Sequence, residues 1–466
     1  MSASHSPLRL LAVALVLLSL TCTGREARRE GEPARRVVVV AIDTLRRDFL
    51  SCYGFPQPIS PRIDRLAGEG ALFTDAVSTA PWTLPAFASL LSGQHPSSHG
   101  AGERTGPQGA GGEPPKSPVH AKVTLLPELL RQRAGFDSAL FFDNPYLGET
   151  WGLSRGFATV RRSEQGGKEA VERALRWIAE RRDDDTFVFL HLMEPHLPYE
   201  PPEPFAERAR DWWLGTGAAG DGAPAETEPG SKIRALYAGE VAYVDHLVGV
   251  FVDGLAELGL LDETLLIVTS DHGEEFYEHA EIERRLYNDP RQIWGIGHGH
   301  TQYQELIGLP LIVRYPGEVA AGSRVDSMVQ IHDLAPSILD WLGLDAPPEM
   351  TGTSLLPSLE GEPTRDHVFS EFMLYGDDRR SYREGDLKVI LGPSLASSEL
   401  YDLAADPGEA VNLRDERSSE FQSLARRLLA VEAEAAKLGA AQNGGRGPVS
   451  IDQETLDELR ALGYIR

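Results

Sequence analysis

Cysteine is nearly absent from this chain: of 466 residues only Cys22 and Cys52 carry a thiol. That excludes a disulfide framework and a thiolate metal site. Basic residues are also scarce, with 45 lysines and arginines against 70 acidic residues and a net charge of −25. Such a surface repels a polyphosphate backbone, so nucleic acid is not an expected partner. Small anions are not excluded, because a bound metal ion can dominate a local field. Long apolar runs are missing outside the N-terminus, where residues 10–20 are too few to span a bilayer comfortably.

What is present suits a large core: 41% hydrophobic and 25% charged residues, enough for one large domain or two unequal ones. The apolar run 10–20 follows Arg9 and precedes Cys22, the layout of an export signal. Ser19-Leu20-Thr21-Cys22 is similar to a bacterial lipoprotein processing site in degenerate form, with Ser19 and Thr21 as the departures. The expectation is an exported protein of the periplasm or cell envelope, with Cys22 as candidate lipid anchor. Residues 1–22 then form the signal and 23–35 a charged linker. Residues 36–350 form the main domain, and 351–466 a smaller C-terminal α+β subdomain.

Residues 37–42 are a continuous apolar, β-branched run, the mark of a strand buried on both faces. It ends at Asp43, which puts a carboxylate at the carboxyl end of a strand, where ligands gather in open α/β sheets. Further strands are predicted over 138–142, 186–190, 265–268 and 309–313. The helical periodicity covers 61–70, 86–91, 125–133, 170–181, 233–258 and 418–438. Strands alternating with helices at this spacing predict an α/β fold, a mostly parallel central sheet flanked by helices. Inserts at 102–121, 214–230 and 276–296 are placed to shape a pocket. The pair Trp212-Trp213 suits a sugar platform, a membrane-facing patch or a core position equally.

The chain is organised around Pro81-Trp82-Thr83-Leu84-Pro85. A threonine stands on a proline-framed turn where an amphipathic helix begins. A helix N-terminus leaves backbone N–H groups free and carries partial positive charge, so it attracts an oxyanion. A hydroxyl there is a candidate nucleophile toward a sulfate or phosphate ester, although a plain N-cap has the same pattern. Two other segments end in metal-type ligands, Asp43 on one and Asp271 with His272 on the other. With Thr83 they form a hard, oxygen-rich set for a divalent cation. For either acid alone, a loop cap or a salt bridge is the plainer reading.

These residues carry a resemblance. Asp43-Thr44-Leu45-Arg46-Arg47-Asp48 with Tyr53-Gly54 is similar to the opening of the sulfatase family within the alkaline-phosphatase superfamily. Leu90-Leu91-Ser92-Gly93 and His99-Gly100 resemble the segment after that family's nucleophile. His191-Leu192-Met193-Glu194-Pro195-His196 and Ser270-Asp271-His272-Gly273-Glu274 resemble two further blocks. So do Gly297-His298-Gly299 with Tyr303, Asp333-Leu334-Ala335-Pro336 and Tyr401-Asp402-Leu403. The resemblance runs in order from about residue 36 to the C-terminus. It implies an alkaline-phosphatase-like fold, with Asp43, Asp271, His272 and Thr83 as metal ligands and Thr83 at the nucleophile position. His196 and His300 fall where the family contacts the anion and the leaving group, and His298 is a third candidate for binding substrate.

One departure bears on mechanism. Sulfatases of the main type convert a Cys or Ser, in a Cys/Ser-x-Pro-x-Arg frame, to formylglycine. Here the frame reads Thr83-Leu84-Pro85-Ala86-Phe87. Oxidising threonine's Cβ, which already bears a methyl, gives a ketone, so no formylglycine is expected. Threonine resembles instead the phosphoryl-transferring branches of the superfamily. The expectation is therefore a metal-dependent hydrolase or transferase in which a phosphoester is preferred. A sulfatase working without formylglycine is the first alternative. A silent sulfatase-like protein that binds an anion or glycan is the second. Thr44, where typical sulfatases have a second Asp, shifts the expected ion toward zinc or manganese, with calcium or magnesium as alternatives. The expected substrate is an anionic ester on a glycan, a phospholipid head group or a small molecule.

Overall fold

The computed structural model of the protein describes residues 35–104, 116–214, 230–289, 291–443 and 453–462. The expected export signal with Cys22, the linker to residue 34 and most of the inserts 102–121 and 214–230 lie outside the described residues.

All seven residues of strand β1 (Arg36–Ile42) are buried. Their side chains alternate: Val37, Val39 and Ala41 enter one apolar core, Val38, Val40 and Ile42 another on the opposite face. The remaining strands of the large sheet are β2 (Ala71–Val77), β3 (Asp137–Phe142), β4 (Thr159–Arg162), β5 (Thr186–Leu192) and β6 (Thr264–Ser270). After a two-stranded ribbon of β7 (Glu275–Phe276) and β8 (Ile296–Gly297) come β9 (Gly308–Arg314), β10 (Ser323–Val325) and β11 (Val329–Gln330). The spatial order is β10-β2-β9-β6-β1-β5-β3-β4, with β11 also paired to β2. Only β9 runs against the others.

Helices cover both faces. In chain order the first seven are α1 (Pro61–Glu69), α2 (Thr83–Ser92), α3 (Pro96–His99), α4 (Leu126–Ala134), α5 (Gly167–Ala179), α6 (Phe205–Leu214) and α7 (Ser231–Glu257). Leu84, Phe87, Leu126 and Leu130 bring α2 and α4 to one face; Ile63, Ala170 and Tyr237 bring α1, α5 and α7 to the other. Each fully buried leucine, isoleucine or phenylalanine among them contributes about 1.5–3 kcal/mol. Helix α7 is apolar and long enough to cross a membrane, yet most of it is packed inside the protein. Trp212 is a core residue as well, edge-on to Phe55 at 5.6 Å. The side chain of Trp213 lies outside the described residues.

The predicted strands and helices are present within a few residues, and the differences have physical causes. Strand β2 escapes the apolar pattern because a bulge between Phe73 and Ala76 absorbs Thr74 and Asp75. Helix α2 begins three residues earlier than its periodicity, at Thr83. Pro85 conceals this start, but proline is tolerated in a first turn, where its missing N–H has no intrahelical partner.

The C-terminal part is a four-stranded antiparallel sheet, β12 (His367–Ser370), β13 (Arg380–Glu384), β14 (Leu387–Leu391) and β15 (Glu399–Asp402). The long helix Ser418–Gln442 packs on it through Phe421, Leu424 and Leu428 against Phe369, Tyr382, Val389 and Leu400. Between β12 and β13 the chain returns to the large domain. Glu371 N–H donates to the Thr79 carbonyl at 2.9 Å, and the Trp82 indole N–H donates to the Phe372 carbonyl at 2.7 Å. The smaller unit therefore braces the residue that precedes Thr83.

Candidate active site

Three neighbouring parallel strands, β6, β1 and β5, end side by side, with Ile42 in register with both Ser270 and Leu192. The next residue after Ile42 is Asp43, and the next after Ser270 is Asp271, so two carboxylates emerge adjacent by register alone. His272 follows Asp271, and His191 lies one residue short of the end of β5. All four are fully buried, as is Thr83.

The distances define one cluster. His272 Nε2 lies 3.2 Å from Asp271 Oδ2, 3.7 Å from Asp43 Oδ1 and 3.2 Å from Thr83 Oγ1. His272 Nδ1 donates to the Gly273 carbonyl at 2.9 Å. That bond fixes the ring orientation and turns Nε2 toward the carboxylates. Asp43 Oδ2 accepts from Asn144 Nδ2 at 2.8 Å and faces His191 Nε2 at 3.2 Å, while Asp271 Oδ1 accepts from the Thr44 N–H at 3.2 Å. The other two carboxylate oxygens, Asp43 Oδ1 and Asp271 Oδ2, are buried without a hydrogen-bond donor. Asp43, Asp271 and His272 each offer a ligand atom within 4.8 Å of the others, and with two orphaned oxygens among them they fit a divalent cation. They are the expected ligands Asp43, Asp271 and His272, with the Thr83 hydroxyl beside them.

Electrostatics agree with that geometry. Burial opposes ionisation of Asp43, but the His191 hydrogen bond and the fields of His196 and His272 hold its carboxyl well below the ordinary range. Burial likewise disfavours a charged His272, yet Asp271 and Asp43 push its pKa up to about 9. The two carboxylates therefore attract positive charge at this point, whether a proton or a metal ion.

The other predicted histidines divide. The His298 ring lies 4.5 Å from the His272 ring, tilted by 43°, and His196 stands edge-on 5.0 Å from His298, ring centre to ring centre, so both line the cluster. Burial, and after it the fields of His272 and His196, hold His298 neutral. Glu274 Oε1 fixes its Nδ1 at 3.1 Å. His300 belongs to a different group: its Nε2 lies 3.2 Å from Glu275 and 3.5 Å from Glu283, both buried. Burial opposes its charge, but Glu283 and Glu275 raise its pKa to about 10, making it an enclosed cation between two carboxylates. Among its described contacts none reaches Thr83.

Two features of the site have no counterpart in the sequence reading. Asn144, two residues beyond β3, donates to Asp43 and also lies 3.5 Å from Thr83 Oγ1. It follows the same strand-end rule that singled out Asp43, but an uncharged amide is a weaker sequence signal for a metal site than a carboxylate or an imidazole. Thr44 adopts the left-handed region at φ 55°, an unfavourable conformation for a β-branched residue. The Asp271 bond to its N–H and the Tyr237 hydroxyl, donating to its carbonyl at 2.7 Å, hold it there.

Comparison with known proteins bears on what this arrangement serves. The sulfatase family model matches residues 35–344. The chain belongs to the sulfatase family. Residues 294–434 also match the C-terminal model of N-sulphoglucosamine sulphohydrolase. An arylsulfatase of Clostridium perfringens is 24% identical over 477 residues, spanning 86% of this chain and 95% of that protein. A multifunctional alkaline phosphatase superfamily protein, PehA of Trinickia caryophylli, is 26% identical over 488 residues, spanning 81% and 91%. Phosphonate monoester hydrolase of Agrobacterium radiobacter shares the fold, with a TM-score of 0.65 over 86% of this chain and 96% of that one at 22% identity. The protein is a sulfatase-family hydrolase of alkaline-phosphatase-like fold, and enzymes of this family use a metal ion.

Proposed function

We propose that this sulfatase-family protein is an exported, metal-dependent hydrolase or transferase of anionic esters, with Thr83 as its nucleophile and a phosphoester preferred over a sulfate ester. The observation that carries the reading is the position of Thr83 Oγ1, buried at the N-terminus of α2 and 3.2 Å from the nitrogen that His272 turns toward Asp43 and Asp271. Export rests on the pattern from Arg9 to Cys22 and remains part of the proposal.

Asp43, Asp271, His272 and Thr83 would hold the ion. Bound there, a divalent cation would lower the pKa of the hydroxyl and neutralise the ester's non-bridging oxygens. The chain's own groups do the rest. Asn144 orients the Thr83 hydroxyl against Asp43. The first turn of α2 presents backbone N–H groups and its positive dipole end to the anion. The Thr83 hydroxyl releases its proton to solvent, and attack by Oγ1 at phosphorus forms a P–O bond as the bond to the alcohol breaks. The departing oxygen takes its proton from the imidazole of His196, which stands beside the neutral His298. Water, or an acceptor hydroxyl, then attacks the phosphothreonine and releases the group. Threonine has no aldehyde to re-form, so a sulfated Thr83 must also be cleaved by attack at sulfur, the step that favours phosphorus.

The test is turnover of nitrophenyl phosphate monoester, phosphodiester and sulfate by residues 23–466, alongside Thr83→Ala. Phosphoester turnover is expected to fall on the order of a thousandfold or more in the variant. Preferential sulfate turnover would favour the sulfatase alternative, in line with the arylsulfatase relative. Equal rates in both proteins would remove Thr83 as nucleophile, and silence on all three esters would favour a binding role.

A further inference from the structure

Away from Thr83, the ribbon of β7 and β8 gathers a second set of buried ligand-type side chains. Glu275 on β7 pairs with Gly297 on β8, and His300 follows shortly after. The chain between them forms the helix α8 (Ala280–Leu286), which carries Glu283. The side chains of Glu275, Glu283 and His300 are 0%, 1% and 3% exposed, so water does not solvate them. Each carboxylate is anchored through one oxygen by a backbone donor. Glu275 Oε1 accepts from the His279 N–H at 3.0 Å, and Glu283 Oε2 accepts from the Gly295 N–H at 2.7 Å. The other two oxygens turn toward one imidazole nitrogen. His300 Nε2 lies 3.2 Å from Glu275 Oε2 and 3.5 Å from Glu283 Oε1, and Glu283 Oε1 is buried without a hydrogen-bond partner.

We propose that Glu275, Glu283 and His300 form a second metal site, which takes a zinc or manganese ion and ties α8 to the segment that carries His298. The three ligand atoms lie within 4.8 Å of one another. Zinc binds nitrogen and carboxylate oxygen at about 2.0–2.2 Å, so tetrahedral ligands stand roughly 3.3–3.6 Å apart. The two distances to His300 Nε2 come close to that spacing, and the longer one exceeds the usual N–H···O range of about 2.7–3.2 Å. Charge points to the same ion. In the ion-free chain a protonated His300 between two carboxylates leaves one buried negative charge unbalanced, whereas a divalent ion with a neutral imidazole balances both. Neighbouring cations do not supply the difference. His279 pairs with Glu305, Lys388 with Glu409 and Arg379 with Glu399, while Arg46 and Arg234 are taken up by Asp48 and Glu278. Arg284 and Arg285 of α8 are exposed, and Glu274 adds a further acid. Glu275 also lies in a trio with His279 and Glu305, but both ring nitrogens of His279 are already used. Its Nδ1 bonds Glu305 at 2.6 Å and its Nε2 the Gly408 carbonyl at 3.1 Å. Two carboxylates and an imidazole are too few oxygens for calcium, which takes about six to eight, and suit zinc or manganese. Glu274, beside Glu275, holds His298 Nδ1 at 3.1 Å, and His298 stands just before Gly299 and His300. The ion would brace both partners of that bond without touching the Thr83 cluster, whichever ester is cleaved there.

The experiment titrates the ion-free full chain with zinc alone and counts bound zinc by mass spectrometry after buffer exchange. Two ions are expected per wild-type chain, one in Asp271→Asn, one in Glu283→Gln and none in the double variant. Glutamine keeps an oxygen for the Gly295 N–H, so Glu283→Gln is the mildest way to remove the ligand charge. In Asp271→Asn, zinc should still raise Tm by several degrees, and adding Glu283→Gln should remove that rise. A single ion per wild-type chain, lost entirely in Asp271→Asn, overturns the proposal. An equal count in wild type and Glu283→Gln also overturns it. Where Glu283→Gln does not fold, a zinc-soaked crystal of Asp271→Asn decides. Anomalous scattering at the zinc edge between Glu275, Glu283 and His300 supports the site, and its absence there overturns it. Failure of Thr83→Ala to lower turnover would instead count against the catalytic reading and leave the zinc count intact.

Discussion

At the scale of single residues, Asn144 separates positioning from nucleophilicity. Its amide donates to the Asp43 carboxylate at 2.8 Å and reaches toward Thr83 Oγ1 at 3.5 Å, while its own oxygen accepts from the Tyr146 N–H at 3.0 Å. Replacing it with alanine leaves Asp43 Oδ2 to His191 alone and lets the threonine hydroxyl rotate. A hydrogen bond to a charged group is worth about 1.5–3 kcal/mol, so Asn144→Ala should lower ester turnover about ten- to a hundredfold. Binding of the metal should change far less, because the two orphaned oxygens belong to Asp43 and Asp271. Steady-state kinetics beside metal titration checks both halves. The residue was legible in principle: the rule that ligands gather at strand ends applies to β3 as it does to β1. What concealed it is chemical type, since a neutral amide is a weaker signal for a metal than a carboxylate and is no nucleophile. His300 is the converse case, singled out by its place in a motif and then placed by the fold between Glu275 and Glu283.

At the scale of elements, helix α7 connects the core to the site through one hydroxyl. Tyr237 OH donates to the Thr44 carbonyl at 2.7 Å and accepts from the Arg46 N–H at 2.8 Å, which ties down the left-handed turn after Asp43. Tyr237→Phe leaves both backbone groups buried and unpaired. The expected cost is about 1–3 kcal/mol in stability, seen in chemical denaturation, with weakened metal affinity because Thr44 N–H no longer orients Asp271. The return segment after β12 makes a second element-scale prediction. Burial pushes the Glu371 carboxyl up to about 8, although the Ser97 N–H bonded at 2.7 Å opposes this. The folded state then retains a proton that the unfolded chain releases near pH 4.5. This contribution is complete below about pH 4.5 and is lost as pH rises toward 8. Glu371→Gln keeps an acceptor for Ser97 but cannot titrate, so its Tm should fall less than that of the wild type between pH 5 and 8.

At the scale of the molecule, the fold was legible wherever burial is two-sided and continuous. Residues 37–42, 265–268 and 309–313 announced central strands because both faces of this sheet are covered. The reversal of β9 was not legible, since strand direction leaves no mark on an apolar run. Nor was the bracing of Trp82 by the C-terminal unit, which depends on a contact across 290 positions. The same assembly determines how metal and stability are linked. Asp43 and Asp271 are fully buried, and each has an oxygen that lacks a donor, so the ion-free protein encloses charge offset by His272, by His191 and by backbone or amide donors. A ligand that binds only the folded chain stabilises it by about 2.7 kcal/mol at a concentration of one hundred times Kd. Chelation should therefore lower Tm by several degrees, and readdition of zinc or manganese should restore it. Asp271→Asn should abolish the part of this response that belongs to the Thr83 cluster, because it removes a charged ligand oxygen. Thr83→Ala, although inactive, should retain most of it, because the carboxylates and the imidazole remain. A differential scan of the three proteins with and without chelator checks this. An equal response in all three would locate the ion elsewhere. A response lost in both variants would make the Thr83 hydroxyl an indispensable ligand as well as the attacking group.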